Sequence, residues 1–250
     1  MYMRYDNKSY TQFYDEKNIR SLVVRLLNAL KSFYTFRDLE LMLDVPQQAL
    51  WRYVNFLTVP EESTAKKILR KIEELRLIEK VVDDMVRPNS KGQVEVWRLT
   101  HNIGFLDLLG FWVTLIPKID DVDVILAYPE DSSPLATSIA YWIRVNLCVA
   151  TRKANATFSS KYVVETYQSE VDGSVEYLAI PKGCIDKEDY VLIVTNNLND
   201  VNMFNAVYAL VRKVQAVPWG LIAVVARNRE VVDSVRTYGL NVIKVLRVIT

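Results

Sequence analysis

The second part of the chain alternates short apolar runs with amphipathic segments, and this alternation limits the fold more than any other feature. It predicts strands at 122–128, 146–151, 190–195, 219–226 and 241–248. It predicts helices at 103–116, 134–145, 202–215 and 230–238, and a hairpin at 161–169 and 174–180. Strands that alternate with helices form a mostly parallel sheet covered on both faces. We therefore expect an α/β domain over residues 101–250.

Residues 1–100 show helical spacing instead and predict a separate N-terminal domain. One helix is expected from about Asn18 to Ser32, where apolar residues recur every three or four positions. Two short helices follow, one capped by Thr35 and one that starts at Pro46. Because only a tight turn separates them, they have the outline of a helix-turn-helix. A further amphipathic helix is predicted after Pro60.

The segment that joins the two domains, "LIEKVVDDMVRPNSKGQVEVWRLT", has a turn signal at its centre. The apolar residues on each side of "RPNSKG" predict two strands. This pair is either a wing of the N-terminal domain or a connecting hairpin.

Composition restricts the classes of protein and of site. No apolar run reaches the roughly 20 residues of a membrane span, so a cytoplasmic protein without membrane contact is expected. Cys148 and Cys184 lie in no paired spacing and are predicted to be buried thiols. With His101 as the single histidine, we expect no metal site and no cofactor. Lys and Arg number 17 against 14 Asp and Glu in residues 1–100, which weakly favours a polyanion as partner.

The second short helix carries polar and aromatic residues outside its apolar side, namely Gln47, Gln48, Trp51, Arg52 and Asn55. Such side chains read base edges from the N-terminal part of a recognition helix. The stretch "TFRDLELMLDVPQQALWRYVNFLTVPEES" resembles the helix-turn-helix of phage lambda repressor and its relatives, with Phe56 where that family often has glycine. The resemblance implies binding to double-stranded DNA. A helical adaptor with a solvated polar face is the alternative.

The segments "VDVILAYPEDSSPLATSIAYWIRVNLCVATRK" and "EYLAIPKGCIDKEDYVLIV", with the loop after the second, resemble the type I phosphoribosyltransferase fold over roughly residues 103–248. This resemblance implies a pyrophosphate site at 128–134 and a basic loop at 152–161. It also implies that the loop after "VLIV" binds the 5-phosphate of phosphoribosyl pyrophosphate. In that family this loop opens with two adjacent acids and continues through small hydroxyl residues and glycine.

The loop after "VLIV" departs from this pattern. Thr195 and Asn196 stand at the positions of the two acids, and Asp200 and Val201 stand in the hydroxyl and glycine stretch. Aspartate repels a phosphate dianion, and valine cannot readily take the positive φ of glycine. We therefore expect no catalytic residues and a domain that is not an enzyme. The predicted ligand-binding residues are Thr195, Asn196, Asn197, Asn199, Asp200 and Asn202.

A DNA-binding helical domain followed by a phosphoribosyltransferase-like domain resembles purine-biosynthesis repressors and related archaeal regulators. The resemblance implies a transcription regulator whose C-terminal domain serves dimerisation and senses a nucleotide or another phosphorylated effector. A homodimer is expected, since two recognition helices must meet two half-sites one helical turn apart. Two alternatives stay open: an active phosphoribosyltransferase with a helical appendage, and a scaffold that binds protein.

Overall fold

The computed structural model describes residues 19–86, 95–152, 161–170 and 172–249. Its N-terminal part is helical, with α1 (Ile19–Leu30), α2 (Phe36–Leu43), α3 (Gln47–Val54), α4 (Glu62–Glu74), α5 (Leu77–Met85) and α6 (Trp97–Thr100). The four helices predicted up to residue 75 are confirmed, and the first, expected from about Asn18 to Ser32, agrees within two residues at each end. Residues 1–18 and the turn "RPNSKG" lie outside the described residues.

Helices α2 and α3 are separated by a short turn whose geometry follows from its residues. Thr35 and Asp38 form a reciprocal capping box that starts α2. Asp44 takes a left-handed conformation, φ 55°, and ends the helix. Pro46 then precedes α3. At the far end of α3, Phe56 has φ 57°, so the position where a glycine was expected by resemblance is left-handed although it carries a bulky side chain.

The segment predicted to form the first strand of a hairpin is helix α5 instead. Its buried residues Leu77, Ile78, Val81 and Val82 are spaced as one face of a helix, and all are at most 3% exposed. The second predicted strand includes α6, which is also helical. The prediction of a wing or hairpin is therefore wrong for the described residues on both sides of the turn.

The C-terminal part is a five-stranded parallel sheet in the order β2-β1-β5-β6-β7. The strands are β1 (Val124–Ala127), β2 (Asn146–Val149), β5 (Tyr190–Leu198), β6 (Val217–Ala226) and β7 (Val242–Val248). The helices are α7 (Ile103–Thr114), α8 (Ser133–Ile143), α9 (Val201–Lys213) and α10 (Arg229–Arg236). An antiparallel hairpin, β3 (Tyr162–Gln168) and β4 (Val175–Pro181), is separate from this sheet. The predicted α/β class and parallel sheet are confirmed.

Strand β5 is the central strand and is longer than predicted. It continues past residue 195 to Leu198, which pairs with Ala226 of β6. Residues Val191 to Val194 are completely buried, as expected for a strand covered by helices on both faces. Only Asn199 and Asp200 connect β5 to α9. This short connection fixes the position of the candidate site.

The helical part and the sheet share one hydrophobic core. A single cluster of buried residues extends from Val23 in α1 to Val225 in β6. At the junction the Arg25 guanidinium lies 4.0 Å from the centroid of the Trp142 ring, and both side chains bond Asp107. Gly110 of α7 packs against the same indole, which a Cβ atom there would overlap. The domain boundary at residue 100 stays a prediction.

Cys148 of β2 and Cys184, in the turn after β4, form a disulfide across 36 residues of sequence, with Cα atoms 5.6 Å apart. The prediction of two separate buried thiols is therefore wrong. The bond ties the sheet to the base of the β3–β4 hairpin. Among the described residues, no helix combines the length and the apolar character that a membrane crossing requires.

Candidate active site

The candidate site lies where the carboxyl ends of β1, β2 and β5 meet. These three strands are adjacent and parallel, so the segments that follow them come together at one edge of the sheet. In parallel α/β sheets this edge is where ligands bind. We call it the carboxyl edge. The segments that form it are 128–132 after β1, 150–152 after β2 and 199–200 after β5.

The segments after β1 and β5 are joined by a buried hydrogen-bond network around Ser132. The single hydrogen of the Ser132 hydroxyl is shared between two acceptors, the Tyr128 carbonyl at 2.9 Å and Asn196 Oδ1 at 3.1 Å, and the hydroxyl accepts from the backbone N–H of Asn196 at 3.0 Å. Ser132 is fully buried and Asn196 is 5% exposed. The Asn196 side chain, at a position of the expected acid pair, therefore braces the sheet edge.

Asp200 begins helix α9 and is 6% exposed. Its Oδ1 accepts from the Met203 amide at 3.0 Å, and its Oδ2 accepts from the Glu170 amide at 3.0 Å. The first amides of a helix are donors for phosphate in many nucleotide-binding proteins. Here the Asp200 carboxylate accepts a hydrogen bond from one of those amides. It also bonds the Glu170 amide, which follows strand β3 of the hairpin. Asn202 reinforces this attachment by donating to the Gln168 carbonyl at 2.9 Å.

Glu130, in the segment after β1, binds the segment after β2. Its Oε1 accepts from the Thr151 hydroxyl at 2.7 Å and from the Arg152 amide at 2.6 Å. Its Oε2 lies 3.8 Å from Nε of Arg152. Partial burial acts to raise the pKa of Glu130, but the hydrogen bonds from backbone, Thr151 and Arg152 hold the pKa below its ordinary value. Glu130 is therefore a carboxylate at neutral pH.

Arg152 also connects the sheet edge to the hairpin. Its guanidinium lies 3.6 Å from Oε2 of Glu176, which accepts a hydrogen bond of 2.8 Å from the Tyr167 hydroxyl. Burial raises the pKa of Tyr167, and the bond to Glu176 raises it further. Burial also raises the pKa of Tyr128, with an added effect of the charge on Asp200. Both phenols therefore stay neutral, and Arg152 faces two carboxylates.

The residues predicted to bind the 5-phosphate are only partly in a loop. Thr195, Asn196 and Asn197 lie within β5, because β6 extends far enough to pair with them. Thr195 is fully buried, and its hydroxyl donates to the Asn197 carbonyl at 3.1 Å. Asn197 Oδ1 is buried without a hydrogen-bond partner among the described residues. The prediction of one continuous loop over 195–202 is therefore wrong.

The residues predicted to read DNA lie together on the exposed face of α3 and at its end. Gln47, Gln48, Trp51, Arg52 and Asn55 are all exposed. Gln47 donates to Glu40 Oε2 at 2.7 Å, and Asn55 donates to the Trp51 carbonyl at 2.8 Å. Gln48, Trp51 and Arg52 are left facing outward at the start and middle of the helix. Whether this surface binds DNA stays a prediction.

The sheet region resembles solved structures of adenine phosphoribosyltransferases. The enzyme from Thermoanaerobacter pseudethanolicus superposes with a TM-score of 0.57 over 68% of this chain and 99% of its own, at 14% identity. The Rhodothermus marinus enzyme gives 0.55 over 69% and 99%, at 11% identity. The Trypanosoma brucei enzyme, solved with AMP, pyrophosphate and ribose-5-phosphate, gives 0.54 over 68% and 79%, at 15% identity.

The fold is that of the phosphoribosyltransferases. No protein-family model matches the sequence, and no curated protein matches it either. The structural likeness confirms the phosphoribosyltransferase-like fold expected for the second domain.

The comparison also overturns the prediction that the chain is not an enzyme, since the structures it resembles are enzymes. That prediction rested on Thr195 and Asn196 in place of two acids. The loss of two carboxylates changes the strength of contacts within a site, but the fold around it is an enzyme fold.

Sequence reasoning missed the contacts of Glu130 with Thr151 and Arg152, and the hairpin residues Tyr167 and Glu176. The first set had a usable signal, because residues that follow adjacent parallel strands lie at the same edge. The second set had none, since the hairpin is not part of the sheet. Within residues 19–86, 95–152, 161–170 and 172–249, no cluster of three or more His, Cys, Asp or Glu is suited to a metal ion.

Proposed function

We propose that this protein is a phosphoribosyltransferase for a purine base, with the N-terminal helices as an appended region. The observation that carries the proposal is the carboxyl edge, where the segments after β1, β2 and β5 converge in a fold shared with adenine phosphoribosyltransferases. The superposition covers nearly the whole length of the Thermoanaerobacter and Rhodothermus enzymes, so the common part is the complete catalytic fold of those proteins.

The proposed reaction joins a ring nitrogen of the base to C1 of phosphoribosyl pyrophosphate while the bond from C1 to oxygen breaks, and the proton of that nitrogen passes to the leaving pyrophosphate or to water. Pyrophosphate leaves with the bonding electrons, and its developing charge needs cationic or N–H donors. Arg152 is placed to supply such a donor, because its guanidinium lies at the carboxyl edge. Thr195 and Asn196 are neutral and buried, so they offer the substrate no carboxylate, and turnover should be slower than with an acid pair by about tenfold for each missing charged contact.

A turnover assay tests this function directly. The full chain is incubated with phosphoribosyl pyrophosphate, as its magnesium salt, and with adenine, guanine or hypoxanthine, and nucleotide is measured by chromatography. Arg152→Ala should lower the rate about 10- to 100-fold, since it removes a charged hydrogen-bond donor. The control is Arg236→Ala, which removes a guanidinium paired with Asp233 on α10 and should leave the rate unchanged. No nucleotide from the folded protein with any of the bases would reject the proposal.

A second proposed function, sequence-specific DNA binding by a homodimer, is favoured by the exposed face of α3. Gln48, Trp51 and Arg52 point outward from a helix that follows α2 after a short turn, the arrangement in which such side chains meet base edges. Such a regulator would use the carboxyl edge to bind a nucleotide or another phosphorylated effector. This function is compatible with the transferase and uses different residues.

Selection of genomic fragments at physiological salt tests DNA binding. Palindromic sites should be enriched, and the enrichment should be lost in Arg52→Ala but retained in Arg236→Ala. The affinity should fall steeply with salt, because bound phosphates release counterions. Equal enrichment by wild type and Arg52→Ala would reject α3 as the reading helix.

A further inference from the structure

The contacts of Glu130 are those of a bound anion. Two hydrogen-bond donors and one cation converge on its carboxylate: the Thr151 hydroxyl at 2.7 Å, the Arg152 amide at 2.6 Å and the Arg152 guanidinium, whose Nε forms an ion pair at 3.8 Å. A hydroxyl, a backbone N–H and a guanidinium are the groups that proteins use to hold phosphate oxygens. The donors come from the segment after β2, and the carboxylate comes from the segment after β1.

We propose that Glu130 is an internal competitor that sets the affinity of the carboxyl edge for phosphate-type anions. Without ligand, its carboxylate occupies the donors of Thr151 and Arg152. A pyrophosphate or phosphate group binds by displacing it, and the donors pass from one anion to the other. This inference rests on the proposed function for the identity of the ligand, since phosphoribosyl pyrophosphate brings such a group to this edge.

Exposure makes the exchange feasible. The Glu130 side chain is 37% exposed and the Arg152 side chain is 46% exposed, so a displaced carboxylate can move into water without leaving a buried charge. The Thr151 hydroxyl and the Arg152 amide belong to the segment that bonds Ala179 of β4, so the donors stay in place when Glu130 moves. Glu176 keeps a second contact with the guanidinium, at 3.6 Å, and limits its movement.

The competitor also imposes selectivity. A ligand gains only the difference between its own contacts with the donors and those of Glu130. A singly charged carboxylate ligand offers the donors nothing that Glu130 does not already provide. A pyrophosphate carries more charge and more acceptor oxygens, so it can gain from the exchange. Multiply charged phosphate groups are therefore the ligand class that this arrangement favours.

Direct binding of inorganic pyrophosphate to the full chain tests the inference by calorimetry. Glu130→Ala removes the competitor and should tighten binding at least about tenfold, the value of one charged hydrogen bond. Glu130→Gln retains a neutral acceptor and should lie between this variant and the wild type. The control is Glu165→Gln, which removes a carboxylate of the hairpin that is paired with Lys213 at 2.7 Å, and it should bind as the wild type does.

A double variant shows where the gained affinity comes from. Thr151→Val in the Glu130→Ala background removes one of the released donors and should cancel a large part of the gain. If Glu130 is only a brace that shapes the loop, Glu130→Ala binds pyrophosphate as weakly as the wild type or more weakly, and the inference is overturned. If Glu130→Ala does not fold, the conservative Glu130→Gln carries the same comparison, and no gain in that variant overturns the inference.

The readout separates this inference from the proposed function, because inorganic pyrophosphate binding needs neither base nor turnover. A chain that makes no nucleotide but binds pyrophosphate in the order Glu130→Ala, Glu130→Gln, wild type keeps the inference and rejects the transferase. If the chain makes nucleotide but neither variant binds pyrophosphate more tightly, the transferase is kept and the inference is rejected.

Discussion

Two carboxylates at the carboxyl edge, Glu130 and Asp200, bind backbone N–H groups in similar ways but differ in burial. Glu130 is more than one third exposed, whereas Asp200 is 6% exposed and bonds the amides of Met203 and Glu170. The hydrogen bonds of Asp200 are part-buried, whereas the Arg152 amide that bonds Glu130 is exposed and finds water when the carboxylate leaves. The same contact is therefore structural in one segment and exchangeable in the other.

The two carboxylates share one feature: each accepts a hydrogen bond from a residue in the loop that the disulfide closes. Removing the disulfide therefore affects both. Arg152 and Glu170 lie between Cys148 and Cys184. Replacing both cysteines by serine should lower the free energy of unfolding by about 3–4 kcal/mol, because a loop of this length gains that much entropy in the unfolded chain. Urea denaturation of the variant and of the reduced wild type measures the loss. A loss below about 1 kcal/mol in both would contradict a closed loop.

Asp200→Ala should lower the free energy of unfolding more than Glu130→Ala does. It removes a helix cap, worth about 0.5–2 kcal/mol, and leaves the Glu170 amide without its acceptor, for a total of about 2–3 kcal/mol. Denaturant unfolding of Asp200→Ala beside Glu130→Ala makes the comparison, with Glu130→Ala expected within about 1 kcal/mol of wild type. Asp200→Asn keeps an acceptor and should recover part of the loss. Equal losses for the two alanine variants would break the comparison.

Ser132→Ala separates the effect of burial from that of position. Ser132 is in the same segment as Glu130 but is fully buried, and its hydroxyl bonds the Tyr128 carbonyl and the backbone N–H and side-chain Oδ1 of Asn196. Its loss should cost about 1–3 kcal/mol, because these groups have no access to water. Thermal unfolding of Ser132→Ala and of the neighbouring Ser133→Ala measures this. A cost as small as that of Glu130→Ala would show that position, and not burial, decides.

The acid dependence of stability should show the smallest effect, at Glu130. Its pKa is lowered in the folded chain, so its contribution is present above the ordinary carboxyl pKa, about 4.3, and is lost as the pH falls through the folded value. Exposure and screening keep this contribution small. Denaturation between about pH 6 and 3 should give a slightly shallower loss for Glu130→Gln than for the wild type. A steeper loss would mean that the hydrogen bonds do not favour the charged form.

The sequence predicts those parts of the fold that depend on repeated patterns. Helix α1 and the buried part of β5 were expected, because long periodic or apolar runs have one stable arrangement. Helix α5 was missed, because its β-branched residues lie beside a turn signal and suggested strands. The helix has only about two turns, so its apolar spacing repeats too few times to indicate a helix. The end of β5 depends on how far its partner β6 extends, and the residues near position 198 do not indicate the length of β6.

The candidate site was predictable only at the level of strand ends. The resemblance to phosphoribosyltransferases placed ligand-binding segments after β1, β2 and β5, and a parallel sheet does bring its carboxyl ends together. The bond from Thr151 to Glu130 could not be predicted, since it depends on side-chain positions across two segments that are 21 residues apart. The pairing of Cys148 with Cys184 depends in the same way on the hairpin folding back to the sheet.

The core shared by the helices and the sheet has a consequence for how the molecule melts. Because α1 packs on α7 and the Arg25 guanidinium covers Trp142 beneath it, neither part can expose its buried face while the other stays intact. Such continuity favours a single cooperative transition. A ligand bound at the carboxyl edge then protects the amide hydrogens of the distant N-terminal helices as well as those of the sheet, by mass action alone and without any change of shape.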